Sequence, residues 1–182
     1  MYEFLRRINV RGKDLIEREM RRLELLYNIM EGKIIIENEK INLYDLVEDI
    51  VNEKEEDGLL FDIIYGIPKE TAELSVDVKF LRIILNEIIE NSKNAIPKAG
   101  IIKIEVKRKG LFSIEISDSG IGIPRGDLQK IFTPFFVTNF HRFRGHLGIG
   151  LSIASGLLKF MGGKIDVTSE VSKGTKVRVY LI

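Results

Sequence analysis

From residue 59 to the C-terminus, β-rich runs and helix-patterned runs take turns, and this alternation restricts the chain to a mixed α/β layer. LLFDIIY (59–65), IIKIEVKRK (101–109), LFSIEISD (111–118), KIDVTSE (164–170) and KVRVYLI (176–182) are rich in β-branched residues and predict strands. Between them, residues 78–96 and 149–161 carry helical spacing. Asp77 is placed to cap the first of these helices, and Gly162-Gly163 to end the second. Upstream, KIIIENEKI (33–41) predicts another strand, and Asn42 is placed to cap an acidic helix from Leu43 to about Asp57.

Residues 13–31 read as a further helix. Ile16, Met20, Leu23, Tyr27 and Met30 recur at alternating spacings of four and three, which makes a heptad-like apolar seam. The seam needs a partner, either its own domain or a helical hairpin with another chain. The 182 residues suit one compact domain plus such an element. The absence of cysteine excludes a disulfide scaffold, thiolate-bound zinc and a thiol nucleophile. A net charge of +1 argues against general nucleic-acid binding. No apolar run approaches the ~20 residues of a membrane span, and MYEFLRRINVRG lacks the apolar core of a signal peptide. The expectation is a cytoplasmic segment with no membrane crossing of its own.

On the 78–96 helix, Leu81, Ile84, Leu85, Ile88, Ser92, Ala95 and Ile96 fall on one arc that faces a sheet. Asn86, Glu90 and Lys93 fall on the opposite side, toward solvent. Glu87, Asn91 and Asn94 form a polar strip at the edge of the apolar face. Their oxygens suit a hard cation such as Mg²⁺; taken alone, the strip is equally a solvated helix flank. DSGIGIP (118–124) places Asp118 at a strand end, able to accept from a base amino group, with Gly120 and Gly122 free to adopt positive φ. GHLGIGLSIA (145–154) opens a helix with Gly148 and Gly150, where free backbone N–H groups suit phosphate. The stretch from Ile123 to Leu147 is long enough to be a lid or binding loop and holds five Phe, which predicts that they are anchored.

In order, NEIIENSKNAI, DSGIGIP, IFTPFF, GIGL and SKGT (172–175) resemble the five sequence elements of the sensor histidine kinase ATP-binding domain, a branch of the gyrase, chaperone, kinase and mismatch-repair ATPase superfamily. The resemblance covers residues 33–182 and implies a two-layer Bergerat-type α/β sandwich, a mixed β-sheet with helices on one face. RRLELLYNIMEGKI followed by INLYDLVEDIV resembles the end of a second dimerisation helix entering such a domain, so residues 1–32 are assigned to a partial, coiled-coil-like dimerisation helix.

Residue by residue, the resemblance implies that Asn91 coordinates Mg²⁺ and that Glu87 tunes the metal shell or activates water. Asp118 would read adenine with support from Thr175, and Gly120, Gly122 and Ile123 would let the backbone approach the base. Gly148, Gly150 and Leu151 would face the phosphates, and Phe132, Phe135 and Phe136 would anchor the lid. Many such kinases carry Lys or Arg where this chain has Asn94, so Lys130, Arg142 and Arg144 are the expected phosphate-facing cations, with Asn94 at the nucleotide. His141 and His146 lack the helical setting of a phosphoacceptor.

The implied activity is γ-phosphoryl transfer from Mg-ATP to a His on a dimerisation hairpin absent from this chain, then to a response-regulator receiver domain, within a homodimeric kinase. The alternatives are a conformational-clamp ATPase or a protein serine kinase using Glu87 as base.

Overall fold

The computed structural model describes residues 2–54, 59–137 and 147–182, with side chains from residue 13 onward. Helix α1 spans Tyr2–Met30, longer than the 13–31 predicted from the seam. Residues 33–38, predicted as strand, are irregular; only Glu39–Asn42 forms strand β1. The reason is tertiary. Ile34 and Ile36 pack against the core, while the Glu37 N–H donates to the Asp77 carboxylate at 2.9 Å, so the segment bonds to a helix cap rather than to a strand.

Asn42 caps α2 (Leu43–Asn52), its side chain accepting from the Tyr44 N–H. The helix ends sooner than Asp57. Strand β2 (Leu59–Tyr65) follows. Strand β3 (Glu73–Val76), for which the sequence offers no clear alternation, pairs antiparallel with β1 to make a separate two-stranded ribbon. Asp77 then caps α3 (Val78–Ala95) by accepting from the Phe80 N–H at 2.9 Å.

The main sheet adds β4 (Gly100–Lys109), β5 (Leu111–Asp118), β6 (Lys164–Glu170) and β7 (Gly174–Leu181) to β2, in the order β2-β4-β5-β7-β6. Only β2 and β4 run parallel; the other pairs are antiparallel, which makes the sheet mixed. Helix α4 (Gly150–Phe160) and α3 lie on one face, with Ile84, Leu85 and Ile88 of α3 and Ile153 and Leu157 of α4 buried above Ile104, Ile116 and Val179 of the sheet. On the other face the Glu115 carboxylate is ringed by Lys107, Lys176 and Arg178. The architecture is the two-layer α/β sandwich with an added N-terminal helix.

Two packing details differ from the helical-wheel expectation. The outer side of α3 is not free: α2 covers part of it, with Val47 and Ile50 beside Leu85 and Ile89. Ile89 is therefore buried, and Phe80 in the first turn of α3 is buried as well. Glu90 is held by Lys54 Nζ at 2.6 Å, and the Asn86 Oδ1 is buried without a partner among the described residues. On α1, the predicted seam of Ile16, Met20, Leu23, Tyr27 and Met30 stays 39% to 72% exposed. The helix meets its own domain through an adjacent stripe, Glu19, Arg22, Leu26 and Ile29, about 100° further round. Leu26 is buried, and Ile29 lies against Gly156 of α4.

Candidate functional site

The ends of α3, β5, β7 and α4 enclose one cavity. Asn91, Asn94, Asp118, Gly122, Ile123, Gly148, Gly150, Leu151 and Thr175 all line it, so the structure brings together most of the residues singled out from the sequence. Gly120 and Lys130 are not among its lining residues. Gly120 serves the site indirectly, by donating its N–H to Asp118 at 2.9 Å. Lys130 is exposed in the turns that follow Pro124. Arg142, Arg144, His141 and His146 lie outside the described residues.

Asp118 is the last residue of β5 and sits where the strand turns away under α3. Both backbone bonds to its carboxylate, from the N–H groups of Gly120 (2.9 Å) and Thr175 (3.2 Å), end on Oδ1. The Ser92 hydroxyl of α3 also donates to the carboxylate. Burial pushes the Asp118 pKa above the ordinary carboxylate range, and the bonds from Gly120, Ser92 and Thr175 offset that only in part. No backbone donor among the described residues reaches Oδ2, so the carboxylate keeps acceptor capacity for a ligand N–H beside the Ser92 bond.

The surrounding backbone is shaped by residues with little freedom. A Cβ on Gly174 (φ +98°) would run into the Asp118 carbonyl, and one on Gly122 (φ +71°) into the carbonyl of Glu170. Ser169 ties this corner together. Its Oγ accepts from the Ile123 N–H at 2.8 Å, donates to the Gly174 carbonyl at 2.9 Å and lies 2.9 Å from the Thr175 hydroxyl. Ser169 and Ser92 were not identified from the sequence; a small hydroxyl on a strand and one on a helix's apolar arc carry no distinguishing local pattern.

At the other end of the cavity α4 begins at Gly150 with no side-chain cap, so its first amides are left for a ligand. Gly148 (φ +67°) is pressed against the Phe136 carbonyl, where a Cβ would lie 2.6 Å from the oxygen. Phe136 lines the cavity, whereas Phe135 is 60% exposed and anchors nothing; the buried residue of that segment is Ile131. Of the three Phe expected to anchor the segment, Phe132 and Phe136 are half-buried beside Ile131, while Phe135 takes a left-handed φ of 65° and is exposed.

Glu87 is not a free carboxylate. Arg22 of α1 grips it side-on, Nε to Oε1 at 2.9 Å and Nη2 to Oε2 at 2.8 Å, and Arg22 Nη1 also reaches both oxygens of Glu19. Burial works against the Arg22 charge, but the charge and hydrogen bonds of Glu87, with those of Glu19, outweigh it and raise the pKa. Among the described residues no cluster of three or more His, Asp or Glu side chains could hold a metal alone. The Asn91 carboxamide oxygen instead fits Mg²⁺ delivered with phosphates, a cation that keeps most of its waters and takes few protein ligands.

Residues 76–182 match the family described as histidine kinase-, DNA gyrase B- and HSP90-like ATPases. The chain belongs to this ATPase family. Its relatives include sensor kinases: the autoinducer 2 sensor kinase/phosphatase LuxQ of Vibrio vulnificus is 32% identical over 160 residues, covering 81% of this chain. The chain spans only 18% of that relative's length. The catalytic domain of the histidine kinase ThkA, solved free of nucleotide, superposes with a TM-score of 0.70 at 25% identity over 80% of this chain and 95% of that domain. Full-length ShkA in complex with AMPPNP shares the fold, with a TM-score of 0.71 at 20% identity over 94% of this chain and 38% of ShkA. The chain corresponds to the ATP-binding catalytic domain of sensor histidine kinases.

Proposed function

We propose that this chain binds Mg-ATP in the α3–α4 cavity and passes the γ-phosphoryl group to a histidine on a dimerisation hairpin supplied by another segment. The observation that carries this reading is the Asp118 carboxylate, partly desolvated in a cavity wall, whose Oδ2 takes no backbone donor among the described residues and can accept from an exocyclic amino group. A guanine would present a carbonyl there instead, so the site selects adenine. Thr175, through Ser169, holds the base-facing corner. The phosphates lie toward Gly148, Gly150 and Leu151 at the uncapped start of α4. Asn91 is the residue that would hold Mg²⁺, which neutralises charge on the phosphates when bound. Asn94 lines the same wall.

In the transfer, the bond between the γ-phosphorus and its bridging oxygen breaks, and ADP departs with the electron pair. A phosphorus–nitrogen bond forms to the imidazole, and the ring proton passes to a base on the hairpin. Positioning and charge neutralisation supply most of the rate. The phosphoryl group then moves to an Asp of a response-regulator receiver domain. Residues 1–32 are read as part of the second dimerisation helix, and 33–182 as the catalytic domain of a homodimeric kinase. The exposed seam on α1 supports that reading, because its apolar face has no partner within the described residues. No helix among the described residues is long and apolar enough to cross a membrane, and we place the domain on the cytoplasmic side.

The clamp-ATPase and serine-kinase readings both need Glu87 as a base. Its bidentate pairing with Arg22 ties up both oxygens, which favours the histidine kinase reading. Incubation with γ-labelled ATP and an added histidine-bearing hairpin tests this. Acid-labile label on the added piece supports it; steady phosphate release or acid-stable label overturns it.

A further inference from the structure

We propose that Arg22, on the N-terminal helix, contacts the terminal phosphate of bound ATP, so that a residue outside the family-matched segment distinguishes ATP from ADP. The inference rests on the nucleotide reading above. Among the described residues lining the cavity, Arg22 is the one cation. A triphosphate brings several negative charges into that space, and Asn91 and Asn94 supply only neutral carboxamides.

The placement of Arg22 fits the far end of the nucleotide. Ser92 bonds Asp118 at the adenine end. Glu87 lies five residues earlier on α3, about 7–8 Å along its axis toward the helix start. Arg22, Glu87 and Asn91 converge there on the first residue of α4. The point a Cβ would occupy on Gly150 is 2.5 Å from Glu87 Oε2, 3.3 Å from Arg22 Nη2 and 3.5 Å from Asn91 Nδ2. Glycine at this position lets Glu87, Arg22 Nη2 and Asn91 close on the uncapped start of α4.

The guanidinium is also fixed in a way that leaves donor capacity. Glu87 takes Nε–H and one N–H of Nη2, and Glu19 takes Nη1. The second N–H of Nη2 has no acceptor among the described residues. A phosphate oxygen at the start of α4 would supply one, as a charge-assisted bond. Glu19 and Glu87 are positioning residues in this arrangement: they hold the fork in plane without consuming all of it. The rival role is a purely structural tie between α1 and α3. Leu26 and Ile29 already pin α1 to the domain by apolar contact, so that role has other providers.

The test compares Mg-AMPPNP and Mg-ADP binding by calorimetry in the wild type, Glu87→Gln and the double variant Arg22→Gln/Glu87→Gln. Removing Glu87 in both variants avoids leaving an unpaired carboxylate beside the phosphates. The double variant is expected to lose about tenfold of the triphosphate-over-diphosphate preference relative to Glu87→Gln, the size of one charge-assisted hydrogen bond, while its ADP affinity is unchanged. Arg22→Lys in the Glu87→Gln background should restore part of the preference. An identical preference in Glu87→Gln and the double variant, with or without a lower melting temperature, assigns Arg22 a structural role and overturns the proposal. Absence of adenine-nucleotide binding by the wild type would overturn the nucleotide reading itself.

Discussion

Asp118→Asn isolates the element on which nucleotide recognition depends. Both backbone N–H donors end on Oδ1, so an Asn can keep its carbonyl oxygen in that place and leave the local turn intact. The amide NH₂ then occupies the position of Oδ2 and meets the adenine amino group donor to donor. The loss of a bond to a charged acceptor is worth about 1.5–3 kcal/mol, and two buried donors left facing each other add roughly 1–3 kcal/mol. Together these predict a loss of about 2.5–6 kcal/mol, or roughly 70-fold to on the order of 10⁴-fold in ADP affinity. Stability should move little. Weaker bonds from Gly120 and Thr175 are offset by removing a carboxylate whose burial opposes its charge, so the net change is within about 1 kcal/mol. Calorimetry with Mg-ADP, paired with thermal unfolding of both proteins, measures the two effects separately. A variant that melts like the wild type and binds ADP equally well would refute the argument, because Asp118 would then serve only the turn it shares with Gly120, Ser92 and Thr175.

The remaining predictions address other parts of the cavity. Because burial raises the Asp118 pKa, its contribution to stability is complete below the unfolded-state pKa and is lost as pH rises through the folded one; ADP affinity, which needs the ionised acceptor, falls as pH drops through that same raised value. Titrations of melting temperature and of ADP affinity across the range just above ordinary carboxylate pKa values should therefore slope in opposite directions, and parallel slopes would contradict this. Asn91→Ala should abolish the Mg²⁺ dependence of ATP binding while sparing most of the adenine contact, whereas Lys93→Ala, absent from the cavity wall, should change affinity less than threefold by about 0.6 kcal/mol or under. Gly122→Ala forces a Cβ at positive φ into the Glu170 carbonyl, so it should lower stability by at least about 1–2 kcal/mol and weaken nucleotide binding; an unchanged melting temperature would show that the turn relaxes freely. The chain alone, given γ-labelled ATP, should carry no phosphohistidine, since its two histidines, His141 and His146, have no acidic neighbour in sequence between Asp127 and Asp166; acid-labile label on either would contradict this.

Much of the fold was legible because the signals are local. Asp77 and Asn42 act as caps where their side chains suit that role, and the 3.6-residue spacing of Leu81, Ile84, Leu85 and Ile88 places the inner face of α3. Strands β4 and β5 follow from their own β-branched runs. What was not legible depends on distant pairing. Strand β3 is four residues long and exists because it meets β1. Ile34 and Ile36 lie in a β-rich run yet serve the core without a ladder partner, while Asp77 claims the Glu37 N–H. The outer face of α3 reads as solvated until α2 is laid over it.

In the site, Asp118 and Gly122 were legible because a strand end followed by a glycine at positive φ is a local pattern; Gly120 keeps an ordinary φ and is required instead because a Cβ would lie 2.7 Å from the Ala95 carbonyl oxygen. The Arg22–Glu87 pair spans 65 residues and has no such pattern. A second stripe on α1, Glu19-Arg22-Leu26-Ile29 at spacings of three and four beside the apolar seam, was the one signal that could have suggested a face turned toward the domain.

A crystal structure of the chain with Mg-AMPPNP tests the central claim most directly. It should show the adenine amino group within about 3 Å of Asp118 Oδ2, the phosphates at the start of α4 beside Gly150, and the metal on Asn91. Nucleotide bound elsewhere, or a base in the cavity with no contact to Asp118, would contradict the account.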